Sequence, residues 1–372
     1  MYLLPKPKTI KEQDGQMLLC HSTHIVMTKE VAETEMHAAK RLQEAIRQET
    51  GLILPFSVGE VREGDLSLGI AKTLPEQTYE ITIDEKGGQI SGGDGAGVLY
   101  GVETFCQIVQ QCGGILPCVQ IQDAPDMPNR GYYFDQTRGR VLKLEELKKI
   151  ADRMCRYKLN QLQLYVEHTY LFRDFSEMWR DQTPLTAEEI LELDSYCRER
   201  HIELVPSLAS FGHLCTLLST KTYGDLCEME DSWKEPFSFW NRMRYHTINV
   251  SDERSLPLIK KMIAEYMQLF SSNKFNICAD ETFCLGKYKS KKLAEERGVH
   301  RLYIDYVKEL AQFLVENGKI PMFWGDIIWN SPELMKELPE SMICLNWGYA
   351  PEQREDETRA IAQTGAGQYL CP

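Results

Sequence analysis

From Gly131 onward the chain alternates short apolar runs with amphipathic stretches, and this alternation limits the possible folds more than any other feature. Runs of strand character occur at Gly131–Asp135, Gln161–Glu167, Ile202–Ser207, Phe275–Asp280, Pro321–Gly325 and Ile343–Trp347, with segments of helical period between most of them. Leu147, Ile150, Ala151 and Met154 share one face of a helix over Leu144–Tyr157. Leu258, Ile259, Met262, Ile263 and Tyr266 do so between Ser255 and Phe270, and Leu302, Tyr306, Leu310 and Phe313 mark a third helix. Thr186 and Glu189 form a capping box that opens a helix with Ile190, Leu193 and Cys197 inward. Strands alternating with helices pair in parallel through right-handed crossovers. An open doubly wound sheet obeys the same rule, but no glycine-rich phosphate turn follows the first strand. A (β/α) barrel fits better.

Residues 1–124 read differently, as an α+β domain. Val31–Gln48 is helical and Tyr79–Ile83 alternates as a strand does. The glycine cluster Gly92–Gly97 precedes a helix over Val98–Gln111 but matches neither phosphate-binding spacing, so it is a turn into a helix. The Pro- and Asp-rich stretch Asp123–Asn129 is the junction, which sets the domains at 1–124 and 125–372.

A chain of 372 residues exceeds one usual core, which agrees with two domains. A net charge of −13 argues against nucleic-acid and anionic-membrane partners, since both call for a basic surface. No run is long enough to span a bilayer, and Met1–Ile10 lacks the apolar core of a signal peptide. The twelve cysteines stand singly, without C-x-x-C or zinc spacing, as reduced thiols of a cytosolic protein do. The eight histidines show no H-x-x-x-H pairing, so neither a metal nor a cofactor is implied.

The acids are the functional signal. Phe275-Asn276-Ile277-Cys278-Ala279-Asp280-Glu281-Thr282 is an apolar run ending in adjacent carboxylates. Neighbours on a strand point to opposite faces, so Asp280 and Glu281 aim together only if the strand has already ended. Asp135, Glu167 and Asp326 also lie at or just past strand C-termini, the catalytic rim of such barrels. Trp324, beside Asp326, and Trp347 stand at two strand exits. One such pair alone is as readily a solvated strand end. Four acidic exits with two indoles suggest the pocket of a glycosidase, with carboxylates for proton transfer and flat rings for sugar C–H surfaces.

The ordered motifs resemble glycoside hydrolase family 20, the β-N-acetylhexosaminidases. They are Ile121–Pro125 with Asn129–Asp135, Lys158-Leu159-Asn160, Ile202–Pro206 leading to Phe211-Gly212-His213, Asp280-Glu281, and Gly318–Pro321 leading to Trp324. Gly97–Gln107 is similar to part of the zincin-like, non-catalytic domain preceding the barrel in that family. The resemblance implies an exo-acting, retaining enzyme on oligosaccharides or glycoconjugates with terminal GlcNAc or GalNAc. In that chemistry the substrate's own acetamide oxygen attacks the anomeric carbon, an exception to the two-carboxylate scheme. Glu281 would be the general acid and then base, and Asp280 would orient the acetamide. Arg130 would grip ring hydroxyls, His213 would support the acid pair, and Trp324 and Trp347 would wall the acetamide methyl. Glu167 and Asp326 would complete the substrate contacts.

The chain departs from the family pattern in three places. The second strand ends Tyr165-Val166-Glu167-His168 where the family often has His-x-x-Asp-Asp, so Glu167 or His168 is expected to substitute in the relay. Cys278-Ala279 replaces the more frequent glycines. After six strands, Gly367–Pro372 looks like a seventh strand cut as it begins, so the expected fold is an incomplete (β/α)8 barrel. A fragment of a longer polypeptide is expected, poorly stable or weakly active alone; a cooperative melt with full turnover would contradict this. Two other readings are another acetamido-glycosidase family with paired acids and a non-catalytic sugar-binding barrel, and the second has no use for a general acid.

Overall fold

The computed structural model describes residues 1–352 and 354–372. Two compact units emerge: Met1–Tyr132 with Glu145–Gln161 and Ser195–Glu203, and Tyr133–Leu144 with Leu162–Asp194 and Leu204–Pro372.

The first unit is built on a mixed sheet of β1 (Thr9–Leu18), β2 (Ile25–Met27), β3 (Phe56–Val58), β4 (Leu66–Ile70), β5 (Tyr79–Asp84), β6 (Gly87–Gly92) and β7 (Ile115–Asp123), ordered β1-β7-β5-β6-β4-β2-β3. Pairing is antiparallel from β1 to β6 and parallel from β6 to β3. Tyr79, Ile81 and Ile83 are buried at every second position of β5, the alternation of a one-faced strand. The helix Gly95–Cys112 packs over β4–β7 and against the helix Met36–Thr50. The glycine cluster is its cap: Asp94 Oδ1 accepts the Gly97 N–H at 2.7 Å. The helix expected over Val31–Gln48 is two helices, Lys29–Thr34 and Met36–Thr50. They part at Glu35, whose backbone leaves helical geometry (φ −120°, ψ 25°) while its carboxylate meets His201 Nε2 at 2.8 Å.

The second sheet comprises β8 (Gly131–Asp135), β9 (Gln161–Val166), β10 (Glu203–Leu208), β11 (Lys274–Asn276), β12 (Ile320–Trp324), β13 (Ile343–Trp347) and β14 (Gly367–Cys371), ordered in sequence. It is a curled parallel sheet, half of a TIM-type barrel, with β8 and β14 at its edges among the described residues. All six residues of β9 are buried, as strands covered on both faces are. The final segment is fuller than expected: β14 pairs with β13 over five residues. The Thr186–Glu189 capping box forms in both directions, at 2.9 and 3.2 Å. The run Phe275–Asp280, by contrast, is a strand only as far as Asn276.

Between β10 and β11 the chain makes a long excursion that includes the short helices Cys215–Leu218 and Phe239–Arg244. Its roots are tied by Leu214 N–H to His246 O and Ile248 N–H to Phe211 O, both at 3.0 Å. Buried Glu228 adds another anchor, accepting the Tyr288 N–H and both the N–H and hydroxyl of Ser290. Among the described residues no helix is long and apolar enough to cross a membrane. All twelve cysteines are free.

Candidate active site

The site grows from the backbone just past β11. Ile277 and Cys278 still bond to β12, through Ile277 N–H to Met322 O and Trp324 N–H to Cys278 O, each 2.9 Å. The conformation then departs from a strand: Cys278, Ala279 and Glu281 have φ of 58°, 63° and 47°. Left-handed backbone in side-chain-bearing residues costs roughly 1–3 kcal/mol each and persists where the surroundings over-determine it. Here Ser210 Oγ donates to Ile277 O (2.6 Å), Tyr303 Oη to Ala279 O (3.0 Å), and the Glu281 N–H to Asp326 Oδ2 (2.9 Å). Because the strand ends early, Asp280 and Glu281 both line one pocket.

His213 stands between them. Its Nε2 lies 3.3 Å from an oxygen of each carboxylate, close enough to pair with both but squarely aligned with neither. Burial disfavours the imidazolium, but the Asp280 charge and the close contacts with both acids outweigh it and raise its pKa to about 10. Asp280 is correspondingly lowered, the His213 charge overcoming its burial. Asp326 goes the other way: burial and then the Asp280 charge push it up to about 8, so it holds its proton at neutral pH. Gly212 lets the two segments meet, since a Cβ there would lie 2.7 Å from Asp280 O.

The pocket measures about 270 Å³ and is otherwise lined by Tyr133, Arg138, Tyr165, Met243, Trp324 and residues from Trp347 onward, including Tyr349. Tyr133 meets Trp324 edge-on at 4.9 Å, and Trp347 lies 5.1 Å from the Tyr349 ring. Arg138 bonds Asp135 at 2.7 Å and stacks 4.6 Å over Tyr165. Such a cavity offers flat apolar walls, one guanidinium and two carboxylates at its floor. The His213, Asp280 and Glu281 ligand-type atoms lie within 4.8 Å of one another, near enough to share a cation.

The structure thus brings Asp280, Glu281, His213, Trp324 and Trp347 together and separates the other three expected contacts. Arg130 precedes β8, at the strand end opposite the rim. Its guanidinium is spent on Lys158 O, Gln77, Met127 O, Pro128 O and Tyr100 Oη. The arginine in the pocket is Arg138, three residues past β8, and the rule that barrel sites form at strand C-termini would have selected it. Glu167 is 3% exposed behind the wall, one oxygen bonded to Tyr165 Oη and the other to Arg242 Nη2, both at 2.9 Å. Buried His168 has its Nδ1 3.9 Å from Glu167, and it does not line the pocket either. Asp326 holds the Glu281 backbone rather than facing the cavity.

With this geometry in hand, comparison with known proteins is decisive at the level of family. The profile of "Glycosyl hydrolase family 20, catalytic domain" matches residues 128–371. The chain belongs to glycosyl hydrolase family 20. The profile "Glycosyl hydrolase family 20, domain 2" covers residues 1–124. A beta-hexosaminidase of Porphyromonas gingivalis is 24% identical over 363 residues, 88% of this chain and 45% of that protein. One of Vibrio furnissii is 26% identical over 310 residues, 75% of this chain and 48% of that protein. The chain therefore spans about half the length of these relatives. Among solved structures, a Flavobacterium johnsoniae chitobiase superposes with a TM-score of 0.83 at 19% identity, covering 99% of this chain and 58% of that one. The likeness at that identity is one of fold.

Proposed function

We propose that this family 20 protein is an exo-acting β-N-acetylhexosaminidase that releases terminal β-linked GlcNAc or GalNAc with retention, through the substrate's own acetamide. The observation that carries the reading is the adjacent pair Asp280–Glu281 turned into one pocket with a charged imidazole 3.3 Å from both. A carboxylate nucleophile would have to face the anomeric carbon from the side opposite the acid; two neighbours on one backbone turn suit an internal nucleophile better. Glu281, the more exposed of the pair at 27% against 18%, protonates the glycosidic oxygen and then activates water. Asp280, kept ionised by His213, orients the acetamide N–H and offsets the charge that develops as the oxazolinium forms. Trp324, Tyr133 and Trp347 enclose the acetamide and ring, and Arg138 takes over the hydroxyl grip expected of Arg130. Domains at 1–124 and 125–372 and a reducing, cytoplasmic setting for the twelve free thiols complete the reading.

The test is aryl release from a β-N-acetylglucosaminide and the matching β-glucoside. Cleavage of the acetamido sugar alone is expected, with Glu281→Gln and Asp280→Asn each losing roughly 10²–10⁴-fold in kcat, the range for positioned acid–base groups. Equal cleavage of both sugars would refute the internal nucleophile.

A further inference from the structure

Within the excursion between β10 and β11, Trp233, Phe237, Phe239 and Trp240 are 60%, 84%, 56% and 64% exposed. They all fall within Asp231–Arg244, and no exposed Leu, Ile, Val or Met accompanies them there. Large solvated rings gathered in one short segment mark a binding face. The segment is close to neutral, with Asp231 and Glu235 against Lys234, Arg242 and Arg244, and Lys234 is paired to Asp231 at 2.6 Å. Its partner is therefore not a polyion.

Continuity with the catalytic pocket identifies the partner. Phe239 and Trp240 precede Met243 by four and three residues on the helix Phe239–Arg244, so the three share a face. Met243 lines the pocket, its sulfur 3.2 Å from Arg138 Nη1. Arg242 pins the helix there through its 2.9 Å bond to buried Glu167. One helical turn, about 5 Å, separates the pocket wall from the Phe239–Trp240 pair. The two rings meet at 5.7 Å and 75°, and Arg244 lies 5.3 Å from the centre of the Trp240 ring. An enzyme that holds only a terminal sugar must let the rest of its substrate leave across the rim, and this face is the next surface along.

We propose that the Phe239–Trp240 face is a stacking platform for the leaving-group side of the substrate. It receives the rings next to the scissile bond of a neutral β-linked oligosaccharide whose terminal N-acetylhexosamine occupies the pocket. The proposal rests on the hexosaminidase reading above. It also gives Arg242 and Glu167 a task, since their buried pair fixes the platform to the pocket wall.

Steady-state kinetics of the full chain with β-N-acetylglucosaminyl fluoride, whose leaving group leaves the platform empty, and with the β-1,4-linked GlcNAc tetramer test it, using Phe239→Ala, Trp240→Ala and Trp240→Phe. The alanine variants should raise KM for the tetramer about tenfold, equivalent to about 1.4 kcal/mol, and leave the fluoride within twofold. Trp240→Phe should restore most of the loss. A second arm needs no turnover: in Glu281→Gln, fluorescence titration should show the tetramer binding at least tenfold tighter than GlcNAc, and Trp240→Ala should erase the difference. If hydrolysis of the fluoride is itself absent, the hexosaminidase reading fails and this arm alone decides the platform. A tetramer that binds no tighter than GlcNAc overturns the proposal, as do variants that weaken both substrates equally. A concentration-dependent dimer lost in Trp240→Ala, with tetramer kinetics unchanged, assigns the face to a second copy of the chain and overturns it too.

Discussion

Between Ile277 and Glu281 most backbone groups are hydrogen-bonded, whereas between Asp231 and Arg244 the large aromatic side chains stand in water. Both segments serve the same rim of one sheet. The first stores left-handed backbone at three side-chain-bearing residues and is held by Ser210, Tyr303, Trp324 and Asp326. The second is fixed at its roots and at Arg242 and leaves its aromatics free. The difference suits the tasks proposed for them. Proton transfer tolerates little misplacement, so the acids sit on a turn that its neighbours over-determine. Recognition of a variable chain outside the pocket needs area and tolerates movement.

The comparison breaks most readily at Gly212. In Gly212→Ala the new methyl would meet Asp280 O at 2.7 Å and Glu281 O at 3.3 Å, both backbone atoms of the rigid turn. Overpacking of this kind costs about 1–3 kcal/mol in stability, and a shift of the acids by about 1 Å costs about 10²-fold in rate. A lower melting temperature with a loss of that order in kcat/KM is the expected result. Full activity would mean that the turn yields and is not rigid.

A smaller effect sharpens the electrostatic side of the contrast. Asp326 has its pKa raised to about 8 by burial and the Asp280 charge, from an ordinary value of 3.8. The folded protein therefore holds a proton that the unfolded chain releases, and this group makes stability fall as pH rises from about 4 to about 8. Above that range a second buried negative charge stands beside Asp280. Turnover at pH 9 should be about tenfold below its plateau, one pH unit beyond this pKa. Asp326→Asn keeps an oxygen for the Glu281 N–H but cannot ionise. It should move the alkaline limb of the kcat/KM profile upward and flatten stability between pH 4 and 8. An unchanged limb would assign that limb to another group.

The parts of this architecture legible in the sequence are those with local causes. The six strands read from period, the start of a seventh and the Thr186–Glu189 box are found within a few residues of expectation, and the glycine cluster is the expected turn into a helix, with Asp94 as a cap that was not foreseen. The burial of helical faces is read nearly as well: Leu302, Tyr306 and Leu310 are inside, while Leu314 replaces half-buried Phe313 at the end. The turn at Cys278-Ala279 was hidden because both residues carry a Cβ and read as strand; partners distant in sequence impose their positive φ. Glu167 lies at a strand exit as expected, but which way its carboxylate points depends on Arg242, 75 residues away. Arg130 and Arg138 differ only in which end of β8 they flank, and motif similarity drew attention to the wrong end. The exposed aromatics left no periodic trace at all, since no core orders them.

Ala279→Gly separates backbone from side chain at the smallest scale. Ala279 is buried with φ 63°, and its carbonyl accepts Tyr303 Oη at 3.0 Å. Glycine relieves a left-handed residue of about 1–2 kcal/mol. Against this stand the unfolded-state entropy of glycine, about 0.4–1 kcal/mol, and the lost burial of one methyl, about 0.8 kcal/mol. The terms nearly cancel, so the melt should move by less than about 1 kcal/mol and kcat/KM by less than twofold. The family pattern more often places glycine here, and neutrality would show that this chain reaches the same turn with an alanine because the surrounding hydrogen bonds carry it. A cost above about 2 kcal/mol, well beyond the methyl's burial, would mean that the side chain packs the turn in place, and the contrast with the excursion would then rest on packing rather than on backbone bonds.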